Sequence, residues 1–251
     1  MMASQTDPLL QGLGVVESDL PAFSRWMFDE VKEHLGSVVL DAGAGVGTYS
    51  RFILDSGRAA VAVEPEPAMR AQLVHNLGHI KGFRLLDGGL IDPEIVEKAG
   101  REGVDSAICL NVLEHIPEDR IALQHLQAIL PLGGRLALLV PAHPLLFNTI
   151  DRSIGHVRRY RKRELMNKVE EAGLVIERLV YFNAFAIPGW VLSGHLLKRS
   201  VAGRSASQIF DRLVPAFRAI ERLVLRGRVG ISLIAICRRP EAAESRSAHL
   251  V

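Results

Sequence analysis

The chain has 251 residues, 48% of them hydrophobic, and a formal net charge of +2. That is enough apolar material for a large core in one domain, and the small charge singles out no class of partner. Cys109 and Cys237 are its only cysteines, and both fall in apolar runs. A disulfide framework or cysteine metal site is therefore excluded in favour of small buried hydrophobes in a reducing compartment.

Leu9 to Val16 is the most apolar stretch of the N-terminus. It lacks a basic n-region and a long h-region, so the expectation is a cytoplasmic protein without a secretory signal. Ser18 or Asp19 is placed to cap a helix with Pro21 in its first turn. Phe23, Trp26, Met27, Phe28, Val31 and Leu35 give that helix an apolar stripe up to Gly36. Next, an apolar strand from Val38 ends on Asp41 and runs into Gly43, Gly45 and Gly47, with a helix expected from about Thr48. Such a turn offers bare backbone and the free N–H groups of a helix N-terminus to an anionic or polar ligand. A dinucleotide-binding fingerprint would need its third glycine at Thr48, so the turn is related to that type and distinct from it.

A second buried strand, Ala59 to Val63, ends in Glu64, a carboxylate able to accept hydrogen bonds from both hydroxyls of a ribose. Phe83 to Leu86 repeats the plan and ends in Asp87, and the run from Asp105 leads to Asn111-Val-Leu-Glu114-His115. Four strand ends thus line one edge with polar groups. From about Ser37 to Ala142, and more loosely to Arg239, the sequence resembles the class I S-adenosylmethionine-dependent methyltransferases. The resemblance implies an α/β, Rossmann-like sheet of seven mostly parallel strands with helices on both faces. By that likeness Asp41 and the glycines Gly43, Gly45 and Gly47 lie by the methionine part of the cofactor, and Glu64 holds its ribose. Asp87 faces the adenine amine, Asn111 lies near the transferred methyl, and the leading helix covers the pocket. For Asp87 an ordinary Asp-Gly-Gly turn is the competing reading.

After Pro117 a helix runs to about Leu130, and Pro131-Leu-Gly-Gly134 turns into a fifth strand, Arg135 to Val140. A helix from Lys162 to Ala172 stops at Gly173 before a sixth strand, Leu174 to Phe182, and the last strand is Ile231 to Cys237. Family topology inserts that last strand antiparallel between the fifth and sixth. The expected organisation is a helical cap (1–36), a methyltransferase core (37–183 and 230–239), a helical insertion (184–229) and a mobile tail (240–251).

Residues 141–160 leave the fifth strand at its C-terminal end, the edge where open α/β sheets bind ligands, and are long for a plain connection. They carry His143, His156, Arg158, Arg159 and Tyr160. The Asp151-Arg-x-x-Gly-His-x-Arg-Arg-Tyr160 run resembles one in a bacterial methyltransferase group often fused to, or encoded beside, glycosyltransferases acting on lipid carriers. A general base is required only if the acceptor must lose a proton, and His156, His143 and His115 are the candidates, with Tyr160 a further substrate contact. A solvated basic face is the competing reading of Arg158 to Arg163.

In the insertion, Phe210, Leu213, Val214, Phe217, Ile220 and Val224 recur at helical spacing opposite Arg212, Arg218, Arg222 and Arg226, with Pro215 kinking the helix or starting it. Such a helix can pack on its own core, lie on an anionic bilayer as a peripheral contact, or form a homodimer face. No metal constellation is visible. The favoured activity is methyl transfer to a small-molecule acceptor such as a sugar, a lipid-linked intermediate or a specialised metabolite. Its alternatives are a nucleic-acid methyltransferase, against which stands the absence of an Asn/Asp-Pro-Pro-aromatic motif at Asn111, and a non-catalytic nucleotide binder or NAD-dependent oxidoreductase.

Overall fold

Short apolar runs without polar alternation need cover on both faces, which a parallel sheet between helix layers provides. The computed structural model describes residues 20–198 and 204–241. Strands β1 (Val38–Ala42), β2 (Ala59–Glu64), β3 (Phe83–Asp87), β4 (Ser106–Leu110), β5 (Arg135–Pro141), β6 (Val175–Phe182) and β7 (Ser232–Arg238) form one sheet in the order β3-β2-β1-β4-β5-β7-β6. β1 to β5 pair in parallel, and β7 runs antiparallel between β5 and β6. The expected α/β, Rossmann-like arrangement is the one observed.

The sheet sorts its side chains by the two-residue period of a strand. Leu40, Val61, Val63, Leu136 and Leu138 pack on one face with Ile95 and Ala99 of α4 (Glu94–Arg101), Leu123 and Leu126 of α5 (Asp119–Ile129), and Leu165 of α7 (Lys162–Glu171). Val39, Ala60, Ala62, Ala137 and Leu139 face the other way. There they meet Trp26 and Phe28 of α1 (Pro21–Asp29), Ile53 of α2 (Thr48–Asp55) and Leu73 of α3 (Pro67–Leu77). The remaining helices are α6 (Thr149–Ser153), α8 (Ala186–Trp190) and α9 (Arg204–Ile220); the last two continue into π-helical turns, Val191–Leu196 and Glu221–Leu225. Both cysteines are buried and free.

Three sequence expectations are corrected. Helix α1 ends at Asp29, and a 3-10 turn, Lys32–His34, replaces the expected run to Leu35. Arg58 takes up carbonyls released there, donating to the oxygens of Lys32 and Gly36. The N-cap is Leu20, with no side-chain cap of its own. Asp211 of α9 accepts the Ala22 and Phe23 N–H groups at 3.2 and 2.9 Å instead, so the cap comes from the distant insertion. Pro215 does not start its helix but lies inside α9, which leaves the kink as the surviving alternative. An interior proline costs about 3 kcal/mol, and packing of Phe210, Val214 and Phe217 against the Trp26 cluster offsets it. Ser18 and Asp19, and the tail beyond residue 241, lie outside the described residues.

Candidate functional site

The turn after β1 is set by backbone conformation and close packing. Gly43, Gly45 and Gly47 have φ of 77°, 54° and 97°, values costly for any residue with a Cβ. At Gly43 a Cβ would stand 2.6 Å from both methyls of Val112, and at Gly47 it would stand 2.6 Å from Leu73 Cδ1. Bareness at these two positions therefore serves packing against the chain itself, where the sequence suggested only an open approach for a ligand. The Gly43 and Ala44 N–H groups both donate to the Val63 carbonyl, locking the turn to β2.

Asp41 is 2% exposed and accepts a 2.6 Å hydrogen bond from Ser50 Oγ of α2. Burial pushes its carboxyl up to about 6. It ties the end of β1 to the helix behind the turn. Glu64 is directed differently: its Oε2 accepts the Gly45 N–H at 2.8 Å and its Oε1 the Glu66 N–H at 2.9 Å. Asp87 pairs with Glu64 in the β2–β3 register and is exposed, with Arg70 Nη1 at 3.1 Å. Asn111 follows β4 with φ of 57°, is exposed, and donates through Nδ2 to Met27 Sδ at 3.7 Å. Tyr49 Oη reaches the same sulfur at 3.6 Å, which brings α1 to the edge holding the glycine turn.

A second group of polar side chains gathers just beyond β4. Glu114, in the 3-10 turn Leu113–His115, is completely buried, and neither of its carboxylate oxygens has a hydrogen-bond partner among the described residues. Burial pushes that carboxyl up to about 8. His156 Nε2 lies 3.6 Å from Glu114 Oε1, and its Nδ1 is 2.8 Å from Asp151 Oδ1. The His115 ring stands edge-on to His156, with centroids 4.8 Å apart. Burial, with His156 next in weight, lowers His115 to about 4. Arg159 completes the base of the group, donating Nε to Asp151 at 2.8 Å and Nη1 to the Ala142 carbonyl. Its guanidinium lies over Trp190 of α8, which fastens the insertion to this segment.

The other candidates stand apart from that cluster. His143 has φ of 61°, contacts the Gly230 carbonyl through Nε2 at 3.0 Å and stacks on Tyr181. Tyr160 is wholly buried, and its hydroxyl donates to Asp119 at 2.9 Å. Burial, then the charge and hydrogen bond of Asp119, raise its pKa. A phenol enclosed in this way cannot touch an acceptor, so the expected substrate role of Tyr160 gives way to a structural one. Arg158 and Arg159 are likewise committed, to Asp119 and Asp151, and are not a solvated basic face. Glu114 and Asp151 stand in two motif runs of the sequence, but their meeting at His156 was not legible there, because it depends on the path of residues 141–160.

A sheet of this order, with a glycine turn after its first strand and carboxylates ending the next two, defines the class I methyltransferase type of Rossmann-like fold. A family model described as a methyltransferase domain matches residues 22–179, and the chain belongs to that family. It is an enzyme, and S-adenosylmethionine is its cofactor. The search of curated proteins found no match. Among solved structures the fold is similar to geranyl diphosphate C-methyltransferase of Streptomyces coelicolor A3(2), crystallised with Mg2+, geranyl diphosphate and S-adenosyl-L-homocysteine. Identity is 15%, coverage 89% of this chain and 82% of that one, and the TM-score 0.61. An S-adenosylmethionine-dependent methyltransferase of Mesorhizobium loti matches at 14% identity, 86% and 98% coverage and a TM-score of 0.56. A chain of the complex between the Haloferax volcanii methyltransferase activator Trm112 and a methyltransferase matches at 16% identity, 90% and 98% coverage and a TM-score of 0.56.

Proposed function

We propose that the chain transfers the methyl group of S-adenosylmethionine to a small-molecule acceptor bound at the C-terminal edge of the sheet. The observation that carries this reading is the state of Glu64. Each of its oxygens accepts one backbone N–H, so each keeps a lone pair for a ribose hydroxyl while the carboxylate is held in a fixed orientation. Asp87, exposed in register beside it, would face the adenine amine, and Asn111 would lie near the transferred methyl. Gly45, whose N–H is bound to Glu64, carries the turn past the methionine part. Asp41 acts through Ser50 by holding α2 behind the turn.

The cofactor supplies a methyl group that is already electrophilic. The chain's task is to hold the acceptor in line with the carbon–sulfur bond and to exclude water, and such positioning supplies roughly 7–11 kcal/mol. Calorimetry with S-adenosylmethionine, its demethylated product and NAD tests the reading: heat with the first two and none with NAD supports it, and heat with NAD alone overturns it.

A lipid-linked acceptor, of the kind suggested by the likeness to the glycosyltransferase-associated group, draws support from one further observation. Leu192, Leu196, Leu213, Leu223 and Val224 are exposed on the insertion, beside Arg212 and Arg222. No helix among the described residues is long and apolar enough to cross a membrane, so contact with a bilayer would be peripheral. Flotation with anionic vesicles tests this, and a concentration-dependent dimer without flotation would assign the same face to a second copy.

A further inference from the structure

We propose that Glu114, His115 and His156 form a binding site for a single divalent transition-metal ion of the zinc or manganese class. One ligand atom from each residue lies within 4.8 Å of the others. Proximity alone would be a weak argument, but the state of the carboxylate is a separate one. Glu114 is 0% exposed, and neither oxygen has a hydrogen-bond partner among the described residues. A buried polar group left in that state is destabilising, and more so when charged, whereas an ion placed between it and the two imidazoles would satisfy it.

The surroundings of the imidazoles fit the same occupant. A ligating histidine as a rule donates its second ring nitrogen to a carboxylate or a backbone carbonyl, which fixes the tautomer and aims the free nitrogen. His156 has that arrangement: Nδ1 is on Asp151 Oδ1 at 2.8 Å, and Nε2 is turned toward Glu114 Oε1 at 3.6 Å. Two ligands at about 2.0–2.2 Å from zinc stand roughly 3.3–3.6 Å apart at the tetrahedral angle, so this separation accommodates an ion better than a direct hydrogen bond. Asp151 is in turn held by Arg159 and by the Asn148 N–H, so the second layer is fixed before any ion arrives.

One carboxylate oxygen and two imidazoles suit zinc, manganese or iron better than magnesium, which favours oxygen ligands throughout. Three protein ligands leave a position open, and an ion there would polarise an acceptor oxygen. That role rests on the proposed methyl transfer; the binding of the ion does not.

The test uses the full chain, stripped with a chelator and dialysed against Zn2+, Mn2+ or Co2+ alone. The expected result is one ion per chain by elemental analysis, a visible Co2+ absorption band, and a rise in unfolding temperature with metal. In Glu114→Gln, which keeps the side-chain volume, and in His156→Ala, affinity should fall by about tenfold or more and the thermal shift should vanish. Glu118→Gln, at an exposed neighbouring position, should behave as the wild type. Failure of the wild type to retain an ion, or an unchanged Co2+ band in Glu114→Gln, overturns the site. If His156→Ala does not fold, Glu114→Gln and His115→Ala decide by the same readouts. Calorimetry with S-adenosylhomocysteine on the stripped chain separates the two proposals: binding of that compound without metal uptake removes only the metal site, and the reverse removes only the cofactor assignment.

Discussion

The Gly45 amide and the Glu64 carboxylate stand 2.8 Å apart, so one charge-assisted hydrogen bond joins the glycine turn after β1 to the end of β2. This bond orients the acid and at the same time fixes the turn that would carry the cofactor. Glu64→Ala removes both functions. The loss should be roughly 1.5–3 kcal/mol in S-adenosylmethionine binding, which is about ten- to hundredfold in Kd. Glu64→Gln, which keeps an acceptor oxygen and loses the charge, should fall between. Titration calorimetry measures both, and wild-type affinity in the alanine variant would remove Glu64 from the site.

At Gly43 the steric and conformational costs can be separated. A Cβ there meets both Val112 methyls at 2.6 Å and also needs a φ of 77°. Left-handed backbone costs about 1–2 kcal/mol for an alanine, so Gly43→Ala should destabilise by more than that. Adding Val112→Ala should recover the steric part alone. A double-mutant cycle in urea checks this, and independent, additive effects of the two substitutions would show that no clash exists.

Much of this architecture was legible because it depends on local signals. Strand ends at Asp41, Glu64 and Asp87 follow from apolar runs meeting polar residues, and the glycine turn follows from composition. The antiparallel position of β7 came only through family likeness, since nothing in residues 231–237 states which strands they join. What escaped the sequence is tertiary. Asp211 caps α1 from the far end of the chain, Glu114 and His156 meet across the 141–160 segment, and Tyr160 is turned into the core although its neighbours in sequence are all basic. Charge and hydropathy patterns carry no information about such encounters, because each depends on the direction in which a loop returns to the sheet.

Tyr160→Phe tests the revised role of that residue. Its hydroxyl donates to Asp119 and lies 3.2 Å from the Leu113 carbonyl, in full burial. Removing it should cost about 1–3 kcal/mol of stability with cofactor affinity unchanged. Chemical denaturation and calorimetry on the same sample check this. A variant of wild-type stability with impaired turnover would restore Tyr160 to the acceptor site.

Asp119, the partner of Tyr160, predicts how the fold responds to acid. It is 2% exposed at the first position of α5 and takes the Tyr160 hydroxyl, Lys168 Nζ and, at 2.7 Å, Arg158 Nη1. Burial is the largest single influence and acts to raise its pKa. The hydrogen bonds from Lys168 and Tyr160, with the charges of Lys168 and Arg158, together outweigh it and hold the group below the usual carboxylate range. A depressed folded pKa contributes stability that is fully present above the unfolded value of about 3.9 and is lost as pH falls through the folded value. Asp119→Asn should therefore cost about 3 kcal/mol near neutral pH, because it leaves Lys168 without its buried partner. That cost should shrink steadily below about pH 4 as the wild-type carboxylate becomes protonated. Urea unfolding of both proteins across the acid range supplies the measurement. A stability difference that stays constant with pH would mean that Asp119 is not the group through which this buried cluster senses acid.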